Sequence, residues 1–303
     1  MSVIDELIIV RYGEISLKSR YVRTKFESIL IKNIKKALDA EDIGSEIEKE
    51  RGRIYVYTDK VNSSISILKK IFGIVSFSYC IKTKPDIYNI SREVIDFSKD
   101  RLNKDMSFAI RSTRTGNHNF SSQDVSIKVG SDIVEKFGSK VDLTNPDYEI
   151  FIEVRGNNAY VYDKKIKGPG GMPVNSQEKV LSIIDDDFSL LSSWYLLSRG
   201  CKVLFFVNKK YNIDVLESFC NDWYIPKDFE VYDKTKDFFS EINRISNKRN
   251  CKAVVSSIYD LKKERVLDIK EYKKKIQTPV LYPLISFKKE EIEEKINKKG
   301  LLK

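Results

Sequence analysis

Lys167-Gly168-Pro169-Gly170-Gly171-Met172-Pro173 divides this sequence. Three glycines and two prolines in seven residues cannot continue a helix or a central strand, because proline removes a backbone donor and glycine loosens the chain. On its C-terminal side the pattern alternates. Val180 to Ile184, Lys202 to Val207, Phe229 to Tyr232, Lys252 to Ser256 and Val280 to Tyr282 read as strands separated by helical patterns. That order predicts an α/β domain over residues 174–303, a parallel sheet with helices on both faces.

On the N-terminal side the order is different. Residues 1–75 read as a strand (Glu6 to Tyr12), a helix (Ser19 to Leu38), two strands (Gly44 to Lys49 and Arg53 to Tyr57, joined at Arg51-Gly52) and a second helix (Ser63 to Phe72). Val22, Phe26, Leu30 and Ile34 recur at helical spacing in the first helix. This order predicts a small α+β domain of ferredoxin-like type. Residues 76–166 read as a second α+β domain. Its strands are Ser76 to Ile81, Ser107 to Arg111, Tyr148 to Val154 and Ala159 to Asp163, and its helices are Ile90 to Arg101 and Ser121 to Phe137. The last two strands meet at the turn Gly156-Asn157-Asn158.

The 303 residues carry a net charge of +10, with 41% hydrophobic and 32% charged side chains, the composition of a globular protein. The positive balance suits a polyanionic partner, although solvated lysine-rich surfaces have the same signature. Residues 1–150 hold 25 basic and 22 acidic side chains, so much of the surplus lies later, in stretches such as Lys273-Lys274-Lys275. No apolar run is long enough to span a bilayer. The first residues, MSVIDELIIVRYGE, carry acids ahead of the apolar run where a secretory signal carries bases. A cytoplasmic protein with no membrane partner is expected. Cys80, Cys201, Cys220 and Cys251 are widely spaced, and His118 is the one histidine. Reduced cysteines and no structural metal follow.

Two stretches carry binding chemistry. Arg11-Tyr12-Gly13-Glu14-Ile15-Ser16-Leu17-Lys18, followed by Arg23, Phe26 and Asn33, reads as a strand turning through glycine into a basic helix start, or as an ordinary strand–helix corner. Arg111-Ser112-Thr113-Arg114-Thr115-Gly116-Asn117-His118-Asn119-Phe120 reads as a turn entering a helix capped by Ser121 or Ser122. Helix N–H groups beside arginines suit phosphate, and His118 and Phe120 suit stacking on a base or sugar. A capped helix with Phe120 in the core is the alternative.

RYGEISLK, the Gly116-Asn117-His118-Asn119-Phe120-Ser121-Ser122-Gln123-Asp124 stretch, Leu143-Thr144-Asn145-Pro146-Asp147, GPGGMPV and Thr278-Pro279-Val280-Leu281-Tyr282-Pro283 occur in order. Together they resemble the tRNA 4-thiouridine synthetase family, the tRNA sulfurtransferases. The resemblance implies that a ferredoxin-like domain and a THUMP domain grip tRNA, with Lys18, Arg23, Arg111, Arg114, His118 and Phe120 as the contacts. It also implies a PP-loop domain that uses ATP and magnesium to adenylate a uridine before sulfur arrives.

The sequence departs from the family where that chemistry is done. The family's nucleotide loop reads Ser-Gly-Gly-x-Asp-Ser. Here Ile184 replaces the first serine, Asp185 and Asp186 replace both glycines, Asp187 follows, Phe188 replaces the aspartate and Ser189 remains. Each carboxylate about 5 Å from a phosphate charge costs roughly 3 kcal/mol at an effective dielectric of about 20. Ser256-Ser257-Ile258 stands where the family reads Thr-Gly-Glu, and Asp237-Phe238-Phe239-Ser240-Glu241 lacks the paired cysteines of many archaeal-type members. A rhodanese domain, carried by other members, is not in the sequence. The expected protein is therefore a tRNA-binding homologue without ATP, magnesium, metal or catalytic residues, working beside an active tRNA-modifying relative or as a homodimer. The alternatives are an active sulfurtransferase using ATP and magnesium, and a protein-interaction module with vestigial RNA binding.

Overall fold

The structure, a computed structural model, describes residues 6–50, 52–233 and 237–302. Residues 1–5 and Arg51 of the Arg51-Gly52 turn lie outside the described residues. In chain order the strands are β1 (Glu6–Arg11), β2 (Glu46–Glu50), β3 (Arg53–Tyr57), β4 (Ser76–Thr83), β5 (Ser107–Thr115), β6 (Lys140–Val141), β7 (Tyr148–Arg155), β8 (Asn158–Tyr162), β9 (Ile166–Lys167), β10 (Lys179–Ile184), β11 (Lys202–Asn208), β12 (Phe229–Tyr232), β13 (Ala253–Val255) and β14 (Val280–Leu281). The helices are α1 (Arg20–Asp39), α2 (Val61–Leu68), α3 (Ile87–Ser98), α4 (Ser122–Phe137), α5 (Asp187–Ser198), α6 (Ile213–Asp222), α7 (Phe238–Lys248), α8 (Lys263–Lys275) and α9 (Lys289–Lys299). Among the described residues no helix is long and apolar enough to cross a membrane.

The chain forms two compact units. The first comprises residues 1–11, 42–65 and 76–167; the second comprises 12–41, 66–75 and 168–303. In the first unit one sheet runs β2-β3-β1-β4-β8-β7-β5-β6, with β9 beside β4. β4 pairs with β1 residue for residue from Ser76 to Ile81 and then with β8, so this strand serves both α+β halves. β5 is four residues longer than its sequence suggests. It runs beside β7 in parallel from Phe108 to Thr115, and that ladder draws Ser112 to Thr115 out of the expected turn.

Side chains of a strand alternate between faces. Phe108, Ile110, Ile150, Ile152 and Val161 pack under α3 and α4 with Val94, Val125 and Val129. The alternate residues of β7 and β8 turn to the opposite face, where Glu153 is 4% exposed. Its Oε1 accepts hydrogen bonds from Arg11 Nε (3.0 Å), Arg11 Nη2 (2.6 Å) and the Tyr162 hydroxyl (2.8 Å), and its Oε2 accepts one from Arg53 Nε (3.0 Å). Burial alone would raise the Glu153 pKa, but the guanidiniums of Arg11 and Arg53 outweigh it and hold the value down to about 2.

In the second unit the sheet runs β12-β11-β10-β13-β14, every pair parallel. Val180 and Ile184 face α5, α6 and α9 through Leu190, Leu191, Leu216 and Ile292. Leu181 and Ile183 face α7 through Ile242 and Ile245. Helices therefore cover both faces, as the apolar alternation implies. Cys80, Cys220 and Cys251 are buried, Cys201 is half-buried, and all four are free thiols.

The glycine-rich stretch is tightly held. Gly73 N–H donates to the Gly170 carbonyl, Gly170 N–H to Ile74 and Met172 N–H to Ser198, each within 2.9 Å. Gly171 has φ +72°, and a Cβ there would stand 2.0 Å from the Ser198 carbonyl oxygen. No other residue type fits that approach.

The buried Glu153 gives the first unit a defined acid response. A carboxylate with a depressed folded pKa contributes stability that is complete above its ordinary value of 4.5 and is lost as pH falls toward about 2. Glu153→Gln should destabilise the first unit by about 3–5 kcal/mol at neutral pH, since it leaves two guanidiniums without their counter-charge. It should also flatten the loss of stability between pH 4.5 and 2. Urea unfolding across that range checks both, and a variant that matches the parent at pH 7 contradicts the assignment.

Candidate functional site

The motif around Arg111 forms two distinct clusters within the first unit. Arg111 and Arg114 stand three positions apart on β5, so strand alternation sends them to opposite faces of the sheet. The extra length of β5 carries Arg114 within the strand and so sets the two arginines apart. Arg111 lies on the Glu153 face, where Nε donates to Glu149 Oε1 (2.9 Å) and Nη2 to the Leu143 carbonyl (2.8 Å). Arg114 lies on the α4 face and donates to the Gly116 carbonyl (2.7 Å).

At that end of the strand His118 Nε2 is 2.8 Å from the Gly156 carbonyl oxygen. A carbonyl only accepts, so Nε2 carries the proton. The bond ties the Gly116–Phe120 turn to the hairpin between β7 and β8. The rings of His118 and Phe120 lie 5.4 Å apart, and Phe120 is half-buried against the α3–α4 core. Phe120 thus packs in the way the core reading expects. Ser121 is the cap of α4. Its hydroxyl accepts from the Asp124 N–H (3.1 Å), and Asp124 accepts from the Ser121 N–H (2.7 Å).

Lys18 and Arg23 belong to the second unit. Lys18 is exposed. Arg23 Nε is 3.9 Å from Glu27 Oε1, one turn along α1, and the same oxygen accepts from the Tyr12 hydroxyl at 2.5 Å. Asn33 donates to the Val174 carbonyl (3.0 Å), which joins α1 to the glycine-rich stretch.

The nucleotide-loop residues lie where β10 leads into α5, at the carboxyl end of a parallel sheet where α/β ligands bind. Ile184 ends β10, and α5 starts three residues later. Asp187 and Phe188 already belong to its first turn, with Asp186 as the cap. Asp186 Oδ1 accepts from the Ser189 N–H (2.9 Å) and the Ser189 hydroxyl (2.8 Å). The Asp185 and Asp186 N–H groups in turn face the Ser189 hydroxyl at 3.3 and 3.4 Å. Asp185 Oδ1 accepts from Asn208 Nδ2 (2.9 Å) and the Tyr232 hydroxyl (2.5 Å), and burial followed by this carboxylate raises the Tyr232 pKa. Asp187 Oδ1 accepts from the Tyr211 hydroxyl (2.9 Å). Phe188 meets Tyr259 edge-on at 5.2 Å.

Ser257, just past β13, brings the second altered motif to the first. Its hydroxyl lies 3.2 Å from Ser189 Oγ and 3.4 Å from Asp186 Oδ1. A cavity of about 360 Å³ opens beside them, with Asp185, Asp186, Asp268, Arg265, Tyr259 and Tyr272 in its lining. A polyphosphate needs bare N–H groups at the helix start. In this loop an aspartate side chain takes a helix-start amide and a serine hydroxyl faces two more, and carboxylates line the adjoining space. These residues do not fit a triphosphate. Among the described residues no three His, Cys, Asp or Glu side chains group to hold a metal ion.

Sequence reasoning missed Arg11, Arg53 and Glu153 as one cluster, because they meet across separations of 142 and 100 residues. The legible signal was a pair of glutamates, Glu149 and Glu153, on the non-core face of the strand Tyr148–Arg155.

A family model described as the ThiI ferredoxin-like domain matches residues 7–78, and one described as the THUMP domain matches residues 82–163. A probable tRNA sulfurtransferase of Methanobrevibacter smithii is 32% identical over 326 aligned residues, covering 95% of this chain and 84% of that protein. Among solved structures, PH1313 from Pyrococcus horikoshii is 30% identical, with a TM-score of 0.83 over 97% of this chain and 99% of that one. A 4-thiouridine synthetase crystallised in complex with RNA and bound ATP shares the fold at a TM-score of 0.78 and 21% identity, over 98% of this chain and 85% of that one. With ferredoxin-like and THUMP domains ahead of a parallel α/β sheet, and with a full-length relative above 30% identity, this chain belongs to the tRNA sulfurtransferase family.

Proposed function

We propose that this chain binds tRNA through its ferredoxin-like and THUMP domains and does not itself carry out ATP-dependent adenylation or sulfur transfer. It works in the cytoplasm, presenting tRNA to an active tRNA-modifying enzyme. The THUMP match, the family membership and the basic side chains of both units support the RNA half of this reading. One observation carries the catalytic half: the Asp186 carboxylate accepts the Ser189 N–H at the start of α5, where the family's loop offers bare backbone to a pyrophosphate. Asp185 adds a second carboxylate at a family glycine, and Ser257 meets Asp186 where the family reads Thr-Gly-Glu. The tRNA contacts of this reading are Lys18, Arg23, Arg111, Arg114, His118 and Phe120. The sulfurtransferase relatives favour a second reading, an active enzyme with an altered loop.

Contacts made chiefly to phosphates release counterions, so tRNA affinity should fall steeply with salt. Gel-shift titrations at 50 and 200 mM salt should differ by about 10³-fold or more if six or more phosphates are met; equal weak binding at both excludes the RNA reading. Arg111→Glu combined with Arg114→Glu should weaken binding while leaving the circular dichroism unchanged. Unchanged affinity would move the site toward the lysine-rich end after Lys262.

Calorimetric titration with ATP and magnesium should give no saturable heat, and mass spectrometry of tRNA incubated with ATP, magnesium and a sulfur donor should find no thiouridine. Micromolar ATP affinity lost on Asp186→Ala would mean that the acidic loop holds a metal. Thiolated uridine made by the chain alone would establish the second reading.

A further inference from the structure

On the Glu153 face of the first unit a cavity of about 550 Å³ gathers Arg11, Arg53, Arg111 and Lys165. These cations come from β1, β3, β5 and the segment after β8, so the fold assembles them from four parts of the chain. The floor is the buried network already described, in which Glu153 is shared by Arg11 and Arg53. That trio keeps one net positive charge. Arg111 is balanced by Glu149. The Lys165 ammonium lies 4.1 Å from the centre of the Phe151 ring and has no carboxylate or carbonyl within hydrogen-bonding distance among the described residues. Desolvation and then Arg11 lower the pKa of this surface-exposed lysine, with Glu153 and Glu149 acting the other way. Ser76 and Thr113 add hydroxyls, and the lining continues round β5 to Ile110, Ser112 and Ser126 on the α4 side.

We propose that this cavity is a phosphate-binding subsite that takes one nucleotide unit of an RNA strand, with the phosphate held between Lys165, Arg53 and Arg111. Two unbalanced positive charges call for an anion, and planar guanidiniums beside an ammonium suit the several acceptor oxygens of a phosphate. The volume exceeds what a bare phosphate fills and falls within the range for nucleotide-sized ligands. Glu153 is a positioning residue. It holds Arg11 and Arg53 in one geometry and leaves Lys165 free to move from the Phe151 ring to the ligand. This rests on the tRNA-binding reading and gives it a location distinct from the Arg114–His118 cluster on the other face.

The test uses the full chain. tRNA affinity is measured against salt for the parent, Lys165→Gln, Lys165→Arg and Lys164→Gln. The last removes an adjacent exposed lysine outside the cavity. One lost phosphate contact reduces the slope of log affinity against log salt by about one. Lys165→Gln should lose that unit of slope, Lys165→Arg should keep it, and Lys164→Gln should match the parent. If the parent binds tRNA and the Lys165 and Lys164 variants behave alike, the subsite is wrong and the tRNA reading stands. If the parent binds no tRNA, that reading fails, and titration with AMP then decides the subsite. AMP binding lost in Lys165→Gln would assign the cavity to free nucleotides, and no AMP binding would overturn it.

Discussion

The carboxylate of Glu153 is the interaction on which the first unit depends. It sits in the interior of a sheet face and is met there by two guanidiniums and a tyrosine hydroxyl. Removing one member of such a group strands charge in a poorly solvated place, which is far more costly than the pair is stabilising. The network therefore ties β1 and β3 to β7 and β8, the strands of the ferredoxin-like half to those of the THUMP half. It also leaves a surplus of positive charge. The glutamate is shared by Arg11 and Arg53, and among the described residues the neighbouring Lys165 has no carboxylate hydrogen-bonded to it.

The second unit shows the opposite electrostatics at its corresponding functional place. A helix start attracts negative charge, and proteins meet that demand either with a ligand or with a side chain. In α5 it is met by Asp186, with Ser189 and Ser257 closing the ring of hydrogen bonds. An N-cap aspartate exceeds a glycine by only about a few tenths of a kcal/mol, so Asp186 at the family's glycine position modestly stabilises the helix start. The parallel sheet and both helical layers are intact, with Leu181 and Val180 packed into opposite cores.

Much of this was legible in the residues. The strand and helix order emerged from apolar periodicity, because burial of one or both faces imposes that periodicity locally. Asp185 and Asp186 at the family's glycine positions were legible too, since charge and side-chain bulk need no tertiary knowledge. Three features were not. The polar end of β5, Ser112 to Thr115, has no apolar signature and is a strand only because β7 offers it a ladder. The separation of Arg111 from Arg114 follows from that strand and from nothing nearer in sequence. The Glu153 cluster spans 142 residues and appears only when the sheet brings β1 beside β4 and β4 beside β8.

The central claim, that the start of α5 is already liganded by its own chain, is tested most directly by hydrogen exchange at the amides of residues 185–190 with and without ATP and magnesium. The Ser189 amide should exchange slowly in the free protein, be unaffected by ATP, and exchange faster in Asp186→Ala. Slowed exchange across the loop when ATP and magnesium are added would contradict the account, because those amides would then be available to a nucleotide.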